Sequence, residues 1–330
     1  MAEGHAASSG SRSGPAPRTG LAVLCLLTVW LAWGGTYPAI RVMVETVPPL
    51  LGTAVRFLIA GAVLAAVLGA LGRLRATRRE LAGAGIVGTV ILGDIGILAV
   101  AEQEVPAGLA ALIIASVPLW IVLLQLLAHE TVPRRTVAAV LAGLAGMGLL
   151  VSPRGEAPVA WLLVLVGAAA IEAAGQFFSR STPLPADPLL NSTVQLLAAG
   201  LALALAGLAF GEAPDVNAKA FSTDSLLAFA YLVVPGSIVA YTAFTWLLRN
   251  VAITTVSTYA YVNPVVAVTV GWALLGERIT AQMAAGGLVI VASVALVVQG
   301  RRLGDSQRAG QGDRLPHGRG AVSDRPGRRA

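Results

Sequence analysis

The chain has 330 residues, of which 56% are hydrophobic and 12% charged, with a formal net charge of +6. A soluble domain usually carries about 25% charged residues, so this composition excludes a soluble enzyme, a disordered chain and a collagen-like fibre. The charge is unevenly placed: residues 1–19 hold 3 charged side chains and residues 301–330 hold 11, leaving a sparsely charged body between two polar tails.

In chain order, residues 1–19 read as a disordered tail rich in Gly, Ser and Pro. Ten apolar runs follow, at 21–43, 49–71, 81–101, 107–127, 136–152, 157–179, 188–210, 225–247, 252–274 and 280–299. A helix needs about 20 apolar residues to cross a bilayer, and the runs do not alternate as barrel strands would. The first run follows Arg12 and Arg18, but it is too long for a secretory signal and lacks a small-x-small cleavage site. Short polar breaks separate the runs, among them 73–80, 131–135 and 211–224. The last run ends in a basic tail, 301–330, that also reads as disordered.

With the N-terminus inside, 18 of the 23 Lys and Arg fall in inner segments and 4 in outer ones. The positive-inside rule then predicts that both termini face the cytoplasm. The single cysteine, Cys25, excludes a disulfide framework and a Cys-based metal site. The basic balance resides largely in the C-terminal tail, with eight Arg against three Asp, and does not point to nucleic acid.

The two halves repeat. Pro49–Gly61 aligns with Pro188–Gly200 at an offset of 139, which also pairs Arg41 with Arg180. Farther on, Pro118 pairs with Pro264 at 146, and Glu130 with Glu277 at 147. Five spans per copy is odd, so the second copy must be inverted in the membrane. Inverted repeats are a common construction for secondary transporters, with the substrate site near the midplane. The boundaries expected are 1–19 for the first tail, 20–152 and 153–300 for the repeats, and 301–330 for the second tail.

Trp33-Gly34-Gly35, Arg56, Pro118, Glu130, Pro264 and Leu275-Gly276-Glu277, in this repeated order, resemble the EamA-type members of the drug/metabolite transporter superfamily. The resemblance spans about residues 20–300. It implies an all-α membrane protein of ten helices in two inverted five-helix repeats around a central cavity, and export of amino acids, related metabolites or drugs. One departure is that Pro118 to Glu130 is 12 residues while Pro264 to Glu277 is 13. The segment Glu172–Arg180 is also similar to the first helix of small multidrug resistance transporters, where the membrane Glu is the shared proton and cation site.

Charged groups inside a bilayer are functional candidates, and Arg56, Asp94 and Glu172 stand clear of the span ends. At about 1.5 Å per residue, Arg56 and Asp94 share a depth of roughly 10 Å from the outer side. They are expected either to form a structural ion pair or to bind the carboxylate and ammonium of a zwitterion. Glu172 and Gln195 form the mirrored polar pair of the second repeat, with no cation opposite. Glu172 is therefore a candidate proton-coupling site or a hydrogen-bonded structural acid. Trp33, Tyr37, Gln176, Tyr241, Tyr259 and Asn263 are candidate cavity lining. Glu130 and Glu277 are expected to anchor span ends by pairing with Arg134 and Arg278.

Gly83–Gly88 fits a dinucleotide pattern but lacks the preceding strand. Asn191-Ser192-Thr193 fits a glycosylation sequon but lies within a span. No Walker motif, nucleophile elbow or clustered His set is visible, so neither an enzyme nor a cofactor is expected. The implied partners are the lipid bilayer of the cell inner membrane, a small-molecule substrate and protons. The expectation is a proton-coupled exporter of a small metabolite such as an amino acid. The alternatives are a multidrug or organic-cation exporter, or a membrane scaffold that transports nothing and has no need of buried Arg56, Asp94 and Glu172.

Overall fold

A computed structural model describes residues 19–151 and 157–312, with the backbone alone described for residues 254 and 300–312. Of the expected tails at 1–19 and 301–330, residues 1–18 and 313–330 lie outside the described residues. The described residues form helices and no strand. The first repeat holds α1 (Thr19–Gly34), α2 (Thr36–Met43), α3 (Pro49–Ala70), α4 (Arg78–Ala101), α5 (Ala107–Ile114), α6 (Val117–Leu127) and α7 (Arg134–Leu150). The second holds α8 (Val159–Ser179), α9 (Pro188–Ala209), α10 (Thr223–Val233), α11 (Ala240–Asn250), α12 (Ile253–Val256), α13 (Tyr259–Leu275) and α14 (Ala281–Gly312).

Among the described residues these helices, whole or broken, fall along the apolar runs. Eight are long and apolar enough to cross a membrane; the units built on the 17-residue α7 and α13 are shorter. Local chemistry explains the broken units. Pro118, near the start of α6, cannot continue α5 because it brings no amide donor. Pro235 forces the turn between α10 and α11 into a π-helix over Val234–Val239. At Pro264 the helix continues, so the two repeat-related prolines act differently. The last helix runs on to Gly312, past the expected boundary at 300, through Arg, Leu, Gln and Ala residues that favour helix.

Apolar side chains lie both inside and outside. Phe57, Leu119, Leu162 and Leu196 are fully buried, whereas Leu24, Ile86, Leu127, Leu274 and Phe210 are exposed. In water such an outer surface would aggregate; against lipid it is the stable one.

The inversion of the repeats is visible in α3 and α9, which pack along their lengths. Gly61 lies against Leu197, and Gly200 lies against Leu58. The two contacts are equivalent: Gly61 and Gly200 are 139 apart, and so are Leu58 and Leu197. Each helix also ends on a left-handed glycine, Gly72 (φ 64°) and Gly211 (φ 82°), again 139 apart. Beyond Gly211, the Glu212 carboxylate accepts from the Leu50 and Leu51 amides at 3.0 and 2.8 Å, satisfying the start of α3. Beyond Gly72, Arg73 donates to Asp187 at 2.5 Å, and Asp187 accepts from the Leu189 amide at the start of α9. Each helix start thus meets the end of the other, as inverted equivalents must.

Candidate functional site

Arg56 is buried on α3. Its Nε donates to the Leu232 carbonyl at 3.2 Å and to Ser237 Oγ at 3.1 Å. Both acceptors exist because the π-turn frees the Leu232 carbonyl from the regular helix ladder. The guanidinium lies 5.0 Å from the Phe57 ring, and Nη1 has no protein partner. Among the described residues, Arg56 forms no ion pair. The expected Arg56–Asp94 ion pair is therefore corrected. Equal depth in the membrane does not fix direction: each helical residue turns by about 100°, and Arg56 reaches toward α10 rather than α4.

Asp94 turns instead to the other acid. The Asp94 and Glu172 carboxyl groups lie within side-chain hydrogen-bonding reach across the α4–α8 interface. Gly175, one turn beyond Glu172, permits that approach; a Cβ there would stand 2.7 Å from Ile91 Cγ1. Glu172 Oε1 also accepts from Gln176 Nε2 at 2.7 Å. Asp94 is buried with Oδ1 unpartnered, while Glu172 keeps some accessible surface. The Glu172–Gln195 pair is likewise corrected: Gln195 Nε2 donates to Asn191 Oδ1 at 3.4 Å on its own helix, and its backbone packs at Gly88 of α4.

Aromatic residues from both repeats meet at one place. The Trp33 ring centroid lies 5.4 Å from Tyr241, 5.0 Å from Phe244 and 5.2 Å from Tyr259. Trp33 Nε1 donates to the Gly236 carbonyl at 3.1 Å, tying α1 to the π-turn. Tyr241 stands within electrostatic range of Arg56, Asp94 and Glu172. Tyr37 and Tyr259 are also in range of Glu172. Asn263 is buried with Oδ1 unpartnered. The result is a two-pole centre in the sense of charge: a guanidinium and an acidic pair, both in range of the aromatic cluster through Tyr241. Among the described residues, no three His, Cys, Asp or Glu group to hold a metal.

Sequence reasoning missed Phe244 and Ser237. The Pro235-Gly236 pair inside an apolar run was a usable sign that backbone groups there would be freed.

The span-end acids also differ from expectation. Glu277 caps the start of α5, accepting from the Ala107 and Gly108 amides at 2.7 and 3.0 Å. Glu130 pairs with Arg180 at 3.3 Å. Neither takes its sequence neighbour, because an open ring of amides or a facing Arg is the better partner. At the Glu277 end a charged cleft of about 400 Å³ is lined by Arg41, Glu45, Glu104, Pro106, Leu275 and Glu277. Glu102 is buried beside it with both carboxyl oxygens unpartnered. Burial pushes its carboxyl well above the ordinary glutamate value, the Glu277 charge adds to this, and Arg41 opposes it.

Apolar helices in two inverted copies around a buried polar centre define a multi-pass membrane protein of transporter architecture. The chain belongs to the EamA-like transporter family, whose domain matches it twice, over residues 20–152 and 159–299. It is 37% identical over 284 residues to the "Uncharacterized inner membrane transporter YedA" of Escherichia coli, covering 84% of this chain and 90% of that one. It is 26% identical over 291 residues to a "Probable amino-acid metabolite efflux pump" of Salmonella typhimurium, covering 85% and 95%. A crystal structure that shares 25% identity superimposes with a TM-score of 0.59, over 86% of this chain and 98% of that one.

Proposed function

We propose that this transporter is a proton-coupled secondary exporter of a small metabolite such as an amino acid. It works by alternating access across the inner membrane, with both termini in the cytoplasm. The observation that carries this reading is the two-pole centre. Arg56 Nη1 is a buried donor without a partner, suited to a carboxylate. Two carboxyl groups in hydrogen-bonding reach hold a proton between them. A substrate ammonium that replaces this proton leaves the charge of the pair region unchanged. Binding substrate therefore releases a proton, and reprotonation from the other side releases substrate. The Salmonella relative, named as an amino-acid metabolite efflux pump, supports the substrate class.

A specific observation favours a second reading, an organic-cation exporter. The wall of Trp33, Tyr241, Phe244 and Tyr259 suits a bulky cation held over ring faces, with the acidic pair as its counter-charge.

Purified protein in liposomes with a trapped pH dye separates these readings. Substrate-dependent proton flux with an amino-acid pool, abolished in Glu172→Gln, is expected. Flux only with organic cations would favour the second reading. No flux with any pool from folded protein would remove proton coupling.

A further inference from the structure

The repeat that relates the two halves is broken at one pair of sites, and the break has a direction. Pro106 and Ala252, related by an offset of 146, precede their helices with nearly the same backbone (φ −56°, ψ 139° and φ −56°, ψ 131°). The amides that follow are those of Ala107 and Gly108 in one copy and of Ile253 and Thr254 in the other. The acids facing them by the same symmetry are Glu277 and Glu130, each directly after a left-handed residue, Gly276 (φ 67°) and His129 (φ 57°). Glu277 caps its amides. Glu130 instead pairs with Arg180.

The flanking arginines follow the same pattern. Arg41 donates to the Glu102 and Gln103 carbonyls at the end of α4. Arg180, its counterpart, holds Glu130 and lies 4.1 Å from the Phe177 ring. Burial agrees. Residues 107–115 are all buried, whereas Ile253 is 58% exposed and Ser257 and 259–261 are half-buried. α5 packs along α13, but among the described residues α6 has no comparable packing on α12 or α13. Although Val256 and Thr258 are buried, the helix start at the Glu277 end is capped and packed on α13, the closed arrangement, while among the described residues the one at the Glu130 end has neither, the open arrangement.

We propose that Glu277 and Glu130 are alternating latches. In the state seen here, Glu277 closes its end while Arg180 holds Glu130 back. In the opposite state, Glu130 caps the amides of Ile253 and Thr254, Arg180 takes up the carbonyls at the end of α11, and Arg41 withdraws Glu277. This exchange rests on the transport reading only in requiring that both states be visited. The latches are positioning residues and touch no substrate.

The test uses thiol accessibility in the full chain, with Cys25→Ala as background. Ala111→Cys reports on the closed end, one turn beyond Gly108, where Ala111 is 1% exposed. Ser257→Cys reports on the open end as its symmetry mate. Each is reacted with a hydrophilic maleimide in detergent-solubilised protein without substrate. Glu277→Ala is expected to speed labelling at 111 at least fivefold and slow it at 257. Glu130→Ala is expected to do the reverse, and the double variant to return both rates toward the parent. Changes of the same sign in both single variants, or none in either, would overturn the latch. If Ala111→Cys fails to fold, the Ser257→Cys rates alone still carry opposite signs. Because no substrate is present, the outcome is independent of whether proton flux is found.

Discussion

At single residues, backbone conformation and charge give sharp expectations. His129 holds a left-handed φ of 57° where its repeat partner is Gly276. A left-handed side chain costs about 1–2 kcal/mol, so His129→Gly should stabilise the protein by about 1 kcal/mol. Gly276→Ala should destabilise it by about as much; thermal unfolding in detergent checks both.

Asp187 receives Arg73 and Arg249, each at 2.5 Å. Burial alone would raise its carboxyl. The hydrogen bonds from Arg73 and the Leu189 amide and the charges of Arg249 and Arg73 outweigh this, and hold it below its ordinary value. Such a group contributes stability above its unfolded pKa of about 3.9, and loses it as pH falls further through the folded value. Asp187→Asn should therefore lower the melting temperature at pH 7 and flatten its fall on acidification.

Glu102 has the opposite sign. Its raised value means that the folded state favours the protonated form, so stability declines as pH rises through that value. Glu102→Gln should unfold at a higher temperature than the parent on the alkaline side, and match it in acid.

At the scale of helices, the repeat makes paired predictions. Gly61 and Gly200 occupy equivalent crossings of α3 and α9, where a Cβ would stand 2.8 and 2.9 Å from the opposing Leu. Gly61→Val and Gly200→Val should each overpack the crossing, and cost a similar amount, about 1–3 kcal/mol. Unequal losses would show that the two repeats tolerate expansion differently. The existence and order of these helices were legible in the sequence, because an apolar run of bilayer length admits little else. The breaks within them were less so. Pro118 marks a break and Pro264 does not, and proline alone does not distinguish the two cases. The candidate side chains were identified from polarity alone, but their partners were not. Arg56 and Asp94 match in depth, yet they point to different helices; Glu172 found Asp94 and Gln176 rather than Gln195.

For the whole molecule, the candidate site is assembled from both copies. Arg56 and Asp94 come from the first, and Glu172, Tyr241 and the π-turn from the second. Arg56→Lys keeps the charge but has no Nε–H to serve Leu232 and Ser237 while a separate nitrogen stays free. It should reduce transport at least tenfold while leaving a folded protein, as read by uptake into liposomes and by thermal unfolding. The same change in a static scaffold would alter stability alone.

The α3–α9 pair is fastened at one end by Glu212 and at the other by Arg73 and Asp187, and the proposed cycle would use it as a fulcrum. Both fastenings join the copies to each other, so neither copy can tilt without pivoting about this axis. Arg56 rides on the axis, so in the proposed cycle a cargo bound there would stay nearly still while the walls rock around it. Locking the axis should then be harmless: a thiol cross-linker with the reach of the Arg73–Asp187 contact, joining cysteines at 73 and 187, should leave turnover intact, whereas a link across either mouth should stop it.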